Sequence, residues 1–403
     1  MTNSSAPPGC AYIKPPPKLG IIGYGPIQYH TPLYQLIASR GNVELDVFFL
    51  SDKGFTSTLD PGFGLAVAWD IDLLSGYRNQ FMTTVGTQSH LPDGIRALAR
   101  WIPAHDAVIV NGYTSPWMLL AMVICKARKI PYFLRGSSHP QGSSAGFRRH
   151  LRRLATRLVV SGSAGGLAMG QLNEAFYRQN GARSITFAPN SVDDARFGCP
   201  PTVSRSDLLA RWGLAGNHPV ILFCGKLIPR KRPLDLVAAI ELLPDELTTL
   251  FVGDGPLAEQ VRFSLAPGTG VVTGFVNQSD LPMYYHAADI LVLPSETEAW
   301  GLVVNEAMAA GTLPVVSDSV GCVPDLVRDV GEVFRCGDVS GLSTALDKAL
   351  RRVGQPGIRD EVRQHAARYS LDRTAAGFEQ AVHLLCGPSQ ADIIRDPARP
   401  TST

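Results

Sequence analysis

Short runs of β-branched and aliphatic residues alternate with helix-length segments along almost the whole chain, and they do so twice. In the first half the runs are 19–23, 45–50, 107–110, 132–134, 158–160 and 185–188; in the second they are 220–224, 249–252, 270–273, 290–293 and 313–316. A strand with one wet face alternates polar and apolar residues. A continuous apolar run instead suits a parallel strand covered by helices on both sides. The same alternation on either side of about residue 200 predicts two such sheets, not one very wide one. A chain of 403 residues also suits two cores of just under about 200 residues each.

The break between them is expected at 197–204, FGCPPTVS, where Gly and two prolines interrupt the periodicity. A helix over 205–212 then opens the second half, and a late helix over 371–385 has apolar spacing at Ala375, Phe378, Val382 and Leu385. The expected organisation is a disordered leader over 1–17, a first domain over 18–200 and a second over 201–370. A C-terminal helix over 371–386 packs back on the first domain, and a loose polar tail fills 387–403.

The net charge of +2 and a hydrophobic content of 45% describe a globular chain and exclude one built to seek polyanions, so no nucleic-acid partner is expected. Seven scattered cysteines with no C-x-x-C pair argue against a disulfide framework or structural zinc and for a reducing, cytoplasmic setting. The N-terminal stretch has no apolar signal core, and the longest apolar run, 117–125, is far short of the roughly 20 residues of a membrane span. One basic segment, Arg148 to Arg157 (RRHLRRLATR), reads as a solvated helix or as a peripheral contact with anionic lipid at the inner membrane face. Its apolar side has only Leu151, Leu154 and Leu158.

The stretch 289–325, DILVLPSETEAWGLVVNEAMAAGTLPVVSDSVGCVPD, carries the chemistry. A strand ends in a loop holding Glu298, and a helix starting near Gly301 places Glu306 in its second turn. In a doubly wound sheet that turn faces the ligand crevice. The free amides of Gly301, Leu302 and Val303 would point there, a seat for phosphate oxygens. Carboxylates beside a phosphate seat make sense when their targets are hydroxyls, because a carboxylate accepts two hydrogen bonds from a vicinal diol. Taken alone, the spacing is better served by two carboxylates stabilised at a helix N-terminus.

Three further stretches sit at strand ends. In GKLIPRKRP, 225–233, Lys226 and Lys231 are candidate diphosphate cations, with Arg230 and Arg232 expected to face solvent. The turn GIIGYGPIQYH, 20–30, resembles a dinucleotide fingerprint only weakly, since Gln28 replaces the third glycine and Pro26 occupies the turn. PYFLRGSSH, 131–139, offers Arg135 and His139. Asp70 and Asp72 in WDID imitate a D-x-D metal motif, but no metal is expected there.

The block E298-AWGLVV-N-E306-AMAAGTLPVVSDSVGCVPDLV, with FVGDGP at 251–256, GFV at 274–276, LPMYYHAAD at 281–289 and APNSVDDARF at 188–197, resembles the E-x7-E class of retaining GT-B glycosyltransferases, family 4. The resemblance spans about residues 18–385 and is strongest over 220–330. It implies an α/β GT-B fold, two Rossmann-like domains facing each other across a cleft, and transfer of a sugar from a nucleotide diphosphate sugar to an acceptor hydroxyl with retention. It also implies no metal or other cofactor, because fixed cations stabilise the leaving diphosphate.

Carried over by position, Glu306 would take the donor ribose hydroxyls and Glu298 the transferred sugar, with the backbone at Trp300 and Gly301. Leu302 and Val303 would offer amides to the diphosphate beside Lys226 and Lys231, Gly25 would approach it across the cleft, and the backbone near Val276 would read the base, in this family usually uracil. Relatives place Phe where Trp300 stands, often Arg where Lys226 stands, and a His near the anomeric carbon where this chain has Arg135. Arg135 and His139 are therefore both candidates to assist proton transfer. In the family's front-face mechanism the leaving phosphate oxygen itself accepts the acceptor's proton. The acceptor would bind the first domain.

Two alternatives belong to other classes. A GT-B-fold nucleotide-sugar 2-epimerase would need no acceptor but gives no reason for the E-x7-E block. An NAD-dependent oxidoreductase would need a ribose-binding acid at the end of the second strand, whereas Glu44 and Asp46 lie at its start.

Overall fold

The computed structural model describes residues 15–52, 58–60, 62–82, 91–138, 147–243 and 246–386. The leader and tail expected at the two ends lie mostly outside them, as does His139.

Among these residues fifteen strands form two parallel sheets and a small hairpin. In chain order they are β1 (Lys18–Gly23), β2 (Glu44–Phe49), β3 (Thr58–Asp60), β4 (Leu65–Val67), β5 (Arg78–Phe81), β6 (Ala107–Asn111), β7 (Tyr132–Arg135), β8 (Gly165–Ala168), β9 (Ile185–Phe187), β10 (Val220–Cys224), β11 (Thr248–Val252), β12 (Gly270–Gly274), β13 (Ile290–Leu293), β14 (Leu313–Ser317) and β15 (Glu332–Phe334). The first sheet runs β5-β2-β1-β6-β7-β8-β9 and the second β12-β11-β10-β13-β14-β15. β3 and β4 pair antiparallel and stand apart from both.

The apolar runs became strands where they were long enough to bury both faces. All five residues of β10 are buried, as are all five of β14. The run 158–160 did not. It is the end of the helix Phe147–Ser161, on which Leu158 is 62% exposed, and the strand of that region is β8, GGLA. Neighbours pack directly on the β8 backbone: a Cβ on Gly165 would lie 2.2 Å from Ser184 Oγ, and one on Gly166 2.7 Å from the Tyr177 ring. A strand that must be bare of side chains carries no apolar signature.

The helix Leu371–Cys386 crosses back to the first sheet, where Ala375, Phe378, Ala381 and Val382 join a core with Ile21, Leu33, Ile37 and Ile109. Gly377 is forced by this packing, since a Cβ there would meet Phe187 O at 2.2 Å. The two domains also meet at Asp325, whose carboxylate accepts from the Gln171 amide (3.1 Å) and the Tyr369 hydroxyl (3.1 Å). Burial pushes the Asp325 carboxyl up to about 6. Asp60, Phe63, Ala68 and Asp70 of the first domain lie against the segments that follow β10 and β12, and Tyr29 packs on the core of the second domain.

Candidate functional site

Glu298 lies in the loop after β13 and is held by its backbone. Its carbonyl accepts from Gly321 N (3.0 Å), and Trp300 O accepts from Cys322 N (3.0 Å), zipping the loop to the segment after β14. Gly301 then turns with φ 102° and begins the helix Leu302–Ala309. A side chain at 301 would be strained by that angle and would meet Val320 Cγ1 at 2.9 Å. The first amides of this helix have no intrahelical acceptor and open at the strand end, where an anion would be favoured.

β10 feeds a second turn, Pro229–Lys231, after which Arg232 sits at φ 52°. Lys231 Nζ pairs with Glu298 Oε1, and the two side chains are only 14% and 15% exposed. Arg230 Nη1 lies 3.7 Å from the same oxygen and donates to Thr297 O at 2.7 Å. Arg232 is not a free surface charge, since it holds Asp235 (2.6 Å) and Glu296 (3.0 Å). Arg230 and Arg232 thus brace the loop that carries Glu298, a role that local sequence could not reveal because the partners are some 65 residues away.

Glu306 is 1% exposed in the second turn of its helix. Tyr285 donates its hydroxyl to Oε2 and lies 3.2 Å from Cys224 Sγ. Oε1 has no well-formed hydrogen bond. Burial pushes this carboxyl up to about 7 against the opposing pull of Tyr285, Arg196 and Tyr29. Neither Tyr285, inside the buried helix Leu281–Ala287, nor Tyr29 stood out in the sequence. Trp300 turns its ring toward the first domain, where a Cβ on Gly170 would meet it at 2.5 Å. Its Nε1 donates to Asn305 Oδ1 (2.8 Å), and Asn305 in turn donates to Asn190 O (3.2 Å).

From the first domain, the turn holding Gly25 continues into Gln28, Tyr29 and His30, and Tyr29 packs against the core of the second domain beside Glu306. Lys226 is bound by Asp60, with Nζ 2.7 and 2.8 Å from its two carboxylate oxygens. Val276 is partly buried at the end of β12, between Phe275 and Asn277, both of which contact first-domain residues.

Arg135 ends β7. It is buried beneath its own strand end, donating to Pro189 O (3.3 Å) and Asn190 Oδ1 (3.4 Å) with its guanidinium 5.3 Å from the Phe378 ring. Burial lowers its pKa to about 10; burial and then Arg135 lower that of His30 to about 3, leaving that imidazole neutral. Asp70 accepts from Ser279 N (3.2 Å), and Asp72 accepts from Leu74 N (3.0 Å) within its own turn. Among the described residues no three His, Cys, Asp or Glu side chains group as a metal site.

Residues 204–368, the second domain, match the model of the family described as glycosyl transferases group 1. The sulfoquinovosyl transferase SQD2 of Arabidopsis thaliana is 32% identical over 159 residues, which are 37% of this chain and 31% of that protein. A D-inositol 3-phosphate glycosyltransferase of Salinispora arenicola is 34% identical over 220 residues, 46% of each chain. The chain thus spans less than half the length of these relatives. Among solved structures, sucrose-phosphate synthase from Thermosynechococcus elongatus superposes with a TM-score of 0.69 at 18% identity, covering 93% of this chain and 100% of that one. Anabaena HepE in complex with UDP superposes with a TM-score of 0.68 at 17% identity, covering 92% and 99%. The fold is GT-B.

Proposed function

We propose that this chain is a retaining glycosyltransferase that moves a sugar from a nucleotide diphosphate sugar, a UDP-sugar, to an acceptor hydroxyl without a metal. The observation that carries the reading is the buried Glu306 carboxyl, whose Oε1 has no well-formed hydrogen bond and which only Tyr285 and Tyr29 face as donors, set one helical turn from amides free for phosphate and beside the Lys231–Glu298 pair. Ribose hydroxyls would donate there in place of Tyr29. The amides of Leu302 and Val303, with Lys231 and Lys226, would take the diphosphate, and Gly25 would approach it from the first domain. Glu298, already oriented by Lys231, would accept from hydroxyls of the sugar near the backbone at Trp300 and Gly301. The backbone at Val276 would read the base.

In the proposed transfer, the bond from the anomeric carbon to the phosphate oxygen breaks as the acceptor oxygen bonds to that carbon on the same face. The acceptor's proton passes to the departing phosphate oxygen. The lysines and amides stabilise charge that develops on the diphosphate, which is where such sites contribute most of their rate. Arg135, held under the strand end, acts on this picture by fixing the Pro189–Asn190 segment; a part for His139 lies outside the described residues.

Incubation with labelled UDP-, GDP- and ADP-sugars, with and without candidate acceptors, is expected to give acceptor-dependent transfer from UDP-sugar with the anomeric configuration kept. Epimerised donor in the absence of acceptor would refute transfer, and an inverted product would refute retention.

A peripheral membrane contact belongs to the same reading. Between Asp106 and Glu174 there is no Asp or Glu, while Lys126, Lys129, Arg153 and Arg157 are among the basic residues of that span. Leu154 and Leu158, expected on the apolar side of the basic helix, are exposed, as is Val123 on the helix Pro116–Ala127. Exposed apolar groups in a span that has cations and no carboxylates suit an anionic lipid surface. Among the described residues no helix is long and apolar enough to cross a membrane. The full chain is expected to sediment with vesicles containing phosphatidylserine and to be released by about 0.5 M salt, where the Debye length falls to a few ångströms. Equal binding to purely zwitterionic vesicles would refute the electrostatic contact.

A further inference from the structure

The first domain lays two of its own groups on the positions assigned above to the donor. One is Tyr29, facing Glu306. The other is Asp60, at the end of β3, whose carboxylate holds Lys226 Nζ through both oxygens at 2.7 and 2.8 Å. Its own turn presents the carboxylate, since Oδ1 also accepts from Gly62 N at 2.8 Å and Phe63 N at 3.3 Å. The lysine stem lies across Gly62, where a Cβ would meet Lys226 Cδ at 2.6 Å.

The hairpin is fastened beyond this pair. The Phe63 ring stands edge-on to Phe275, centroids 5.1 Å apart, and Lys226 Nζ is 4.9 Å from the Phe63 centroid. Asn277 Nδ2 donates to Ala68 O at 2.8 Å, and Ser279 N donates to Asp70 at 3.2 Å. Phe275 and Asn277 flank Val276, so the hairpin spans both the diphosphate cation and the strand end that would read the base.

We propose that the β3–β4 hairpin is a displaceable strap over the donor site, with Asp60 an internal anion that occupies Lys226 until the donor's diphosphate replaces it. The inference rests on the donor reading above. Asp60 and a diphosphate cannot share one ammonium without mutual repulsion, and the diphosphate brings more charge and gains helix amides as well. The exchange is accessible, because Lys226 and Asp60 are 33% and 31% exposed. Burial alone would raise the Asp60 carboxyl; Lys226 and the Gly62 amide outweigh it and hold it below the usual range, so the strap is charged at neutral pH. A ligand that binds only the unstrapped state has its affinity reduced by the fraction of molecules in that state. The strap therefore makes the free site weaker than its contacts warrant and couples donor arrival to release of the first-domain loop.

The test is the affinity of the full chain for UDP, with GDP and ADP alongside, measured by calorimetry for wild type, Asp60→Asn, Lys226→Ala and the double variant. Asparagine keeps the shape and the turn hydrogen bonds but removes the charge. Asp60→Asn is expected to bind UDP about three- to tenfold more tightly, and to give no gain once Lys226 is alanine. Asp70→Ala, which loosens the same strap from its other end, is expected to shift UDP affinity in the same direction. Unchanged or weaker UDP binding in Asp60→Asn, or a gain that survives in the Lys226→Ala background, overturns the strap. If wild type binds UDP and Lys226→Ala weakens it while Asp60→Asn changes nothing, the strap fails and the donor site stands. If neither wild type nor Asp60→Asn binds any of the three nucleotides, the donor reading fails with it.

Discussion

Lys231→Ala is expected to lower sugar transfer by about 10²–10³-fold, the scale of removing one preorganised electrostatic contact from a transition state. It is also expected to destabilise the second domain by about 3 kcal/mol, near the low end for breaking a buried ion pair, because both side chains keep slight solvent contact. The cause is the same in both measurements. Lys231 and Glu298 neutralise each other at 14% and 15% exposure, so alanine leaves a carboxylate enclosed without its cation. Arg230, 3.7 Å from the same oxygen and half exposed, recovers only part of the loss. Denaturant unfolding and turnover of Lys231→Ala, Glu298→Ala and the double variant check this. The double variant should be less destabilised than the two singles added together, since it leaves no unpaired charge. Strict additivity in stability, with turnover near that of wild type, would remove the pair from the site.

Glu306→Gln is expected to make the folded protein more stable at pH 8 while weakening UDP binding about tenfold. A carboxyl that ionises near 4.5 in an unfolded chain is pushed by burial to about 7 here. Between those pH values the folded state binds a proton that the unfolded state has released, so stability falls as pH rises through the window. The loss is absent below about 4.5 and complete above about 7, where it amounts to about 3 kcal/mol. Glutamine has no such burden. It keeps an acceptor for Tyr285 but turns donors toward the position where ribose hydroxyls would also donate, which removes a charge-assisted contact. Thermal unfolding of both proteins from pH 4.5 to 8 should therefore coincide at the acid end and diverge upward. A pH-independent difference, or unweakened UDP binding, would show that Glu306 neither carries this buried proton nor meets the ribose.

Much of the scaffold was legible because it rests on local physics. Parallel strands buried on both faces must be apolar throughout, so β10, β13 and β14 stood out as runs. The turn at Gly301 and the helix bearing Glu306 followed from spacing alone. β8 was missed for the complementary reason: GGLA is a strand whose side chains have been removed to admit Ser184 and Tyr177. β5 was missed as a short, polar edge strand, RNQF, whose residues alternate in exposure. Leu158–Val160 misled because a brief apolar triplet fits the end of a helix as well as a strand.

The sequence by itself determined the two-sheet architecture, the E-x7-E turn and the cations at the strand end, since each is written in contiguous residues with a period or a fixed spacing. Only the tertiary structure decided which charges meet. Lys231 went to Glu298, 67 positions onward, while Lys226, five residues before Lys231, went to Asp60 in the other domain. Arg135 went to Pro189 O and Asn190 Oδ1, with its guanidinium against the Phe378 ring. Coulomb energy depends on separation in space and on solvent exclusion, and neither is set until the chain has folded.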